Sequence, residues 1–342
     1  LPPSVNPTAR RRRWTAAVLA VALATGACSD RPLDTAPPTT EPATPAVSPA
    51  ADSPAGTVRP LPLAGQAAVF DATTATPVVL GTTPDGRSAL ALPAGTPRTV
   101  PLPTAATALA VGGDGSVLAA VRGGYLRYDI AADRVETFAV DGHADTEFTA
   151  VTRRGDGRVV LGSADGAVLT LDAANRVAAR TDGFVRIDAL AAVGDVVVVL
   201  DRAQTSVTSL KPDGSGTALA LRAGEGATTM TADPAGRVLV ADTRGGELLV
   251  YGADPLMLRQ RYPVPDAPYG LAGSAGLTWV SQTATNTVVG YDLSTGIPVQ
   301  RVRHRTVQQP NALAFDAASG TLYVVSGTGA GVQVISDAAV QR

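Results

Sequence analysis

Residues 309–336 read QPNALAFDAASGTLYVVSGTGAGVQVIS, and the alternation within them decides the fold. Three runs, NALAFD, TLYVVS and GVQVIS, are separated by a Ser-Gly turn and a glycine-rich turn. Short β-rich runs bounded by turn residues are the local signature of antiparallel hairpins. The same phrase recurs backwards along the chain. With the apolar residue of each first strand as anchor, the series is Val69, Leu109, Val151, Leu190, Met230, Leu271 and Leu313, spaced 40, 42, 39, 40, 41 and 42 residues apart. A period near forty, with about four short strands per unit, predicts propeller blades.

Residues 57–63, TVRPLPL, precede the first complete unit and echo TVPLP at 99–103. The last unit has three strands and lacks a fourth. The expectation is therefore that 57–63 supply the outer strand of the last blade, closing the circle from both ends and leaving no inner sheet edge open. Residues 57–336 then hold seven blades of forty residues each, followed by a tail at 337–342. Asp-Gly and Gly-Gly pairs, as at 156–157, 165–166 and 245–246, recur because tight hairpins need positive φ at their centre. No helix-period segment follows residue 56. The fold expected is all-β, a seven-bladed β-propeller.

The chain of 342 residues is 45% hydrophobic and 17% charged, enough to bury a large core. Its 28 basic against 30 acidic residues give no nucleic-acid footprint. Four of the basic residues are Arg10 to Arg13, followed by an uncharged stretch from Trp14 to Ala27, too short for a comfortable membrane span. The stretch ends LATGAC at Cys28, the single cysteine. Small residues before a lone cysteine after such a run resemble the lipobox of bacterial lipoproteins. That resemblance implies a signal peptide at 1–27, cleavage before Cys28, and acylation (palmitate among the chains) of its thiol and new amino terminus. The protein would then sit on the extracytoplasmic face of the cell membrane, held by its lipid anchor. Residues 28–56, with seven prolines and almost no large apolar side chain, read as a disordered tether. Without the signal, 24 basic and 30 acidic residues leave a net charge of −6. One cysteine admits no disulfide framework, so packing alone must hold the fold.

Two segments, PYGLAGS…GLTWVSQTATNTVVGYDLSTG (268–296) and QPNALAFDAASGTLYVVSGTGAGVQVI (309–335), resemble the repeats of YVTN/YncE-like and NHL-type propellers. With the lipobox, the whole chain is similar to actinobacterial propeller lipoproteins of the LppL type. The resemblance implies a fold and brings no activity with it.

The chemistry-bearing motifs of other propellers are missing: WD40 Gly-His and Trp-Asp pairs, sialidase Asp-boxes, and the repeated tryptophans of quinone-dependent dehydrogenases. GxGxxG, HExxH, CxxC and GxSxG are missing as well. No cofactor, metal ligand set or catalytic residue is therefore assigned. Two histidines occur. His143, beside Asp141, Asp145 and Glu147, reads either as a solvated loop or as half of a metal or acid–base site. His304 lies among Arg301, Arg303 and Arg305, read as charges protecting an outer strand edge or as an anion-binding stripe. Two residues before each anchor stand Ala67, Thr107, Thr149, Asp188, Thr228, Tyr269 and Asn311. These positions mark where each inner strand begins at the channel mouth. Asp188, Tyr269 and Asn311, supported by the threonines and capped by His143 and Glu147, are the candidate ligand-binding group. Threonine, Asp and Asn also favour strand entries for local reasons. The function expected is a binding or scaffold module for a protein or cell-wall component. The alternative is a lactonase- or lyase-like enzyme acting at the mouth, for which Asp188 and Asn311 are present but no Glu lies in the ring.

Overall fold

The computed structural model describes Leu1 and residues 38–340. Cys28, the signal segment and the first part of the expected tether lie outside the described residues. Seven four-stranded antiparallel sheets follow one another, each running from an inner to an outer strand. Blade 2 is representative, with strands Ala106–Val111, Ser116–Val121, Gly124–Asp129 and Arg134–Ala139. The seventh sheet combines Pro310–Asp316, Thr321–Ser326 and Val332–Ile335 with the amino-terminal Thr57–Arg59 as its outermost strand. Thr57 pairs with Val334 and Arg59 with Val332, antiparallel. The closure read from 57–63 is thus present, with the ladder itself spanning three residues. Leu61 and Leu63 continue from it into the core between blades 7 and 1.

Why these sequences make blades follows from their two-residue period. Successive side chains of a strand point to opposite sheet faces, and in a ring each face meets a neighbouring blade. The middle strands are therefore buried on both faces, as in SVLAAV at 116–121 and TLYVVS at 321–326, where every residue is buried. Among the described residues seven buried apolar clusters form, one at each blade interface. Val78 and Leu80 turn to blade 2, while Val79 between them turns to blade 7. Burying each such side chain contributes about 1.5–3 kcal/mol. Trp279, fully buried, fills the interface of blades 6 and 7 beside Phe315.

Outer strands are treated differently. On Val299–Arg305, Arg301, Arg303 and Arg305 are exposed while Val302 and His304 turn inward. His304 lies stacked beside Trp279, and its Nε2 is 2.8 Å from Ala338 O. The carboxy-terminal residues 337–340 are tucked in by the same bond and by Ala338 N–H to Gly320 O, 2.9 Å.

One expectation needs correcting. The reading of residues 28–56 as disordered does not describe 38–56, which lie extended along the propeller and are hydrogen-bonded to it. Thr40 N–H reaches Ala203 O at 2.8 Å, and Ala55 N–H reaches Arg305 O at 3.0 Å. The composition argument failed because this segment is ordered by donors that take up its carbonyls, with little apolar burial.

Candidate functional site

In six of the seven blades the inner strand enters the channel through an irregularity of one residue. In blade 2 the ladder passes from Ala106↔Val121 to Ala108↔Ala120, leaving Thr107 as the extra residue. Thr149 and Thr228 hold the same place in blades 3 and 5, Tyr269 in blade 6 with Gly270 beside it, and Asn311 in blade 7. In blade 4, Asp188 N–H bonds Leu200 O at 2.9 Å just ahead of the first ladder pair. A bulge re-aims the side chain it carries, and bulges gather at barrel rims and sites. In blade 1 the extra residue is Gln66, one position before Ala67. The anchor there is consequently Ala68, because the larger Val69 drew the sequence reading one residue too far. With that correction all seven positions are polar.

The seven do different work. Thr107 Oγ1 donates to Phe148 O at 2.7 Å, and Thr149 Oγ1 donates to Ile187 O. Both carbonyls belong to the next blade, so these hydroxyls staple one blade to its neighbour. Thr228 instead meets Thr243 Oγ1 at 2.6 Å, and Thr229 supplies the staple to Tyr269 O. Between blades 6 and 7 the staple comes from Ser281, whose Oγ reaches Pro310 O at 2.6 Å. Thr228 and Tyr269, the collar residues of blades 5 and 6, are thereby released from joinery.

Asp188 is half-buried and accepts the Arg202 N–H at 2.8 Å. Arg186 Nε lies 3.3 Å from its Oδ1, and Arg186 Nη2 lies 3.9 Å from Glu147 Oε1, so one arginine links the two carboxylates. Burial pushes the Asp188 carboxyl up, against the pull of the Arg202 N–H and of the Arg202 and Arg186 charges. Burial likewise raises the Tyr269 phenol, opposed by Arg202. The Tyr269 hydroxyl makes no hydrogen bond with any described residue. Asn311 Oδ1 accepts from Gln309 Nε2 at 3.0 Å.

The expected cap is split. Glu147 joins the Asp188 group through Arg186, but His143 stays apart with Nδ1 3.2 Å from Thr146 Oγ1. It lines a separate open cavity of about 630 Å³ with Arg122, Asp145, Glu147 and Asp165. The central channel holds about 370 Å³, walled mostly by Ala, Val and Leu. Gln66 and Asn311 line it, and Arg153 is its one ionisable side chain. Among the described residues, no three His, Cys, Asp or Glu are grouped to hold a metal ion.

Residues that the sequence reading passed over organise this face. Asp201 and Asp242 end the second strands of blades 4 and 5 and are fully buried. Asp201 accepts the Val185 N–H at 2.8 Å, and Asp242 accepts those of Glu225 and Gly226, both at 2.8 Å. Gln282 Nε2 holds Pro265 O at 2.8 Å, and Ser326 Oγ holds Gln308 O at 2.7 Å, in blades 6 and 7. In blades 4–7 the second strand thus ends on a group that fixes the connection entering its own blade. The recurring polar residue after a β-rich run was the signal available.

Residues 38–52 run over this fixed face. Arg202 donates to Ala43 O while its own backbone N–H holds Asp188. Gln309 donates to Ala46 O at 2.9 Å as well as to Asn311, and its Oε1 accepts the Ser48 N–H at 3.0 Å. The strap therefore rests on the immediate partners of Asp188 and Asn311.

No protein-family model matches the chain, and no curated protein sequence matches it. Solved structures do. The virginiamycin B lyase of Staphylococcus aureus superposes with a TM-score of 0.64 at 12% identity, over 82% of this chain and 99% of that one. The WD40 repeats of RRP9 give 0.67 at 15%, over 82% and 96%. The hydrazine synthase of Kuenenia stuttgartiensis gives 0.65 at 12%, over 84% and 100%. A lyase, a synthase and a WD40 domain at such identities share the seven-bladed architecture with this chain, and the likeness shows the fold alone.

Proposed function

We propose that the protein is a lipid-anchored envelope lipoprotein whose propeller is a binding module for a protein or cell-wall component, with the loop face of blades 4–7 as the binding surface. The observation that carries this reading is the seating of residues 38–52 on that face. Rigidly held loops present a set of side-chain donors there, and an extended chain already satisfies them. A chain of the Mitotic Checkpoint Complex is among the solved propellers of like fold, at 13% identity. That architecture therefore serves within at least one protein assembly. The lyase likeness keeps an enzymatic reading as the alternative. Against it stand the apolar channel wall and the dispersal of ionisable groups: His304 bonds Ala338 O in the outer rim, and His143 sits in its own cavity.

The anchor rests on the lipobox at Cys28. Membrane fractionation of a bacterial host expressing the chain tests it. The wild type is expected with the membranes and Cys28→Ala in the soluble fraction. A Cys28→Ala protein still in the membranes, with no acyl mass on residue 28 of the wild type, contradicts the anchor.

A further inference from the structure

Residues 40–49 read TEPATPAVSP, and the way they are held says what else the face would hold. Prolines 42, 45 and 49 lack an N–H, so this segment offers mainly a row of carbonyls in an extended, low-entropy backbone. The propeller meets that row with side-chain donors. Arg244 Nη2 reaches Glu41 O at 2.7 Å, and Arg202 reaches Ala43 O. Gln309 Nε2 reaches Ala46 O at 2.9 Å, Gln308 Nε2 reaches Ser48 O at 3.2 Å, and Asn286 Nδ2 reaches Pro49 O at 2.8 Å. Two of the free N–H groups find acceptors as well: Ala46 N–H bonds Thr283 Oγ1 at 3.1 Å, and Ser48 N–H bonds Gln309 Oε1 at 3.0 Å. Gln309 so engages residues 46 and 48 from one carboxamide, as a neighbouring strand edge would.

Side chains of the strap count for little. Ala43 and Ser48 alone are buried within it, and Val47, at 93% exposure, faces solvent. A Cβ on Gly226 would come within 3.0 Å of the Ala43 Cβ, so the site for residue 43 admits only a small side chain. Ser48 Oγ donates to Thr283 O at 2.6 Å. The requirements are an extended proline-rich backbone and small side chains five positions apart. Nothing in them needs the peptide to belong to the same chain.

We infer that the groove across blades 4–7 binds an extended, proline-rich peptide of a partner protein, and that residues 40–49 occupy it in cis until such a peptide takes their place. This rests on the binding-module reading and names the class of its partner. The strap is joined to the closing strand by only a few residues, which holds its effective concentration near the millimolar range. A partner peptide therefore gains access when the strap is drawn off, or when it outbids that concentration.

The probe is a synthetic, end-blocked peptide of residues 39–50, and the receptor is the full chain carrying Ala43→Arg and Ser48→Arg, which dislodge the strap in place. Titration calorimetry is expected to show binding to this variant and at least tenfold weaker binding to the wild type. Adding Gln309→Ala and Arg202→Ala to the receptor, or placing Arg at positions 43 and 48 of the peptide, is expected to abolish it. If the Arg variant does not melt cooperatively, a chain lacking 38–49 replaces it. No binding to a folded, strap-free receptor overturns the inference, as does equal binding with and without Gln309 and Arg202. Either negative leaves the binding-module reading standing, because that reading is judged separately, by crosslinking an envelope component to the loop face through a photoreactive residue at Glu147.

Discussion

Blades 1–3 and blades 4–7 present a polar collar at equivalent positions of the same mouth, yet the described strap lies only on the second group. In blades 2 and 3 the collar residue is threonine, and its hydroxyl is spent on the next blade's carbonyl. In blades 4, 6 and 7 the place is taken by Asp188, Tyr269 and Asn311, and Arg202 and Gln309 connect this group to the strap. In blades 5 and 6 another hydroxyl makes the staple: Thr229 reaches Tyr269 O in place of Thr228, and Ser281 reaches Pro310 O in place of Tyr269. A repeat position can thus carry the blade-to-blade staple in one part of the ring and stand free of it in another, where a neighbouring hydroxyl takes over the joint.

Closure should dominate any attempt to break this division. Gln333, fully buried, donates to Ala55 O at 2.6 Å and Arg305 O at 2.9 Å and accepts the Val307 N–H at 3.0 Å. Gln333→Leu leaves the buried Val307 N–H and the part-buried Ala55 O without that partner, at about 1–3 kcal/mol each, while Arg305 O keeps the Ala55 N–H. Thermal melting should then fall by about 10 °C, taking roughly 2–4 °C per kcal/mol for a chain of this size. A drop below about 2 °C would show that the joint between the two chain ends is not the ring's weak point.

The next effect separates the two halves. Thr149→Val removes the hydroxyl between Gly162 O and Ile187 O, at about 1–2 kcal/mol. Asn311→Ala should cost less than half as much, because the hydrogen bond it loses runs to another side chain at the mouth, that of Gln309. Equal losses in the two melts would erase the distinction between staple and site. Deleting residues 38–49 should cost well below deletion of 57–59, since the strap's bonds, about 0.5–1.5 kcal/mol each, are offset by about 1–2 kcal/mol of ordering entropy per residue.

The smallest effect is electrostatic. Burial raises the Asp188 carboxyl in the folded chain above its unfolded value. The folded state therefore holds this proton more tightly, and stability is lost as pH rises from the unfolded pKa through the folded one. Asp188→Asn should melt about 1–2 °C higher than the wild type at neutral pH, and the gap should close as pH falls through the carboxylate range. A gap that widens on acidification would mean that the arginines outweigh burial.

The fold was legible because blade signals are local. Alternation and turn chemistry are written within a dozen residues, and the period repeats them seven times. The one slip in the repeat positions, Val69 for Ala68, arose where two small residues preceded a bulge that no pattern marks. The candidate site was legible only in part. Asp188, Tyr269 and Asn311 could be found by position, but Arg202 and Gln309 could not. Their roles depend on partners such as Ala43 and Ser48, 159 and 261 residues away. The strap was missed for a related reason: composition gauges apolar burial, whereas this segment is held through its carbonyls.

Hydrogen exchange along the strap tests the account most directly. Ala46 and Ser48 have bonded amides, while Thr44 and Val47 between and beside them have none. The wild type should show slow exchange at 46 and 48 and fast exchange at 44 and 47, and Gln309→Ala should release 48. Uniform exchange at unprotected rates across residues 40–49 of the wild type would contradict a docked strap and the recognition face built on it.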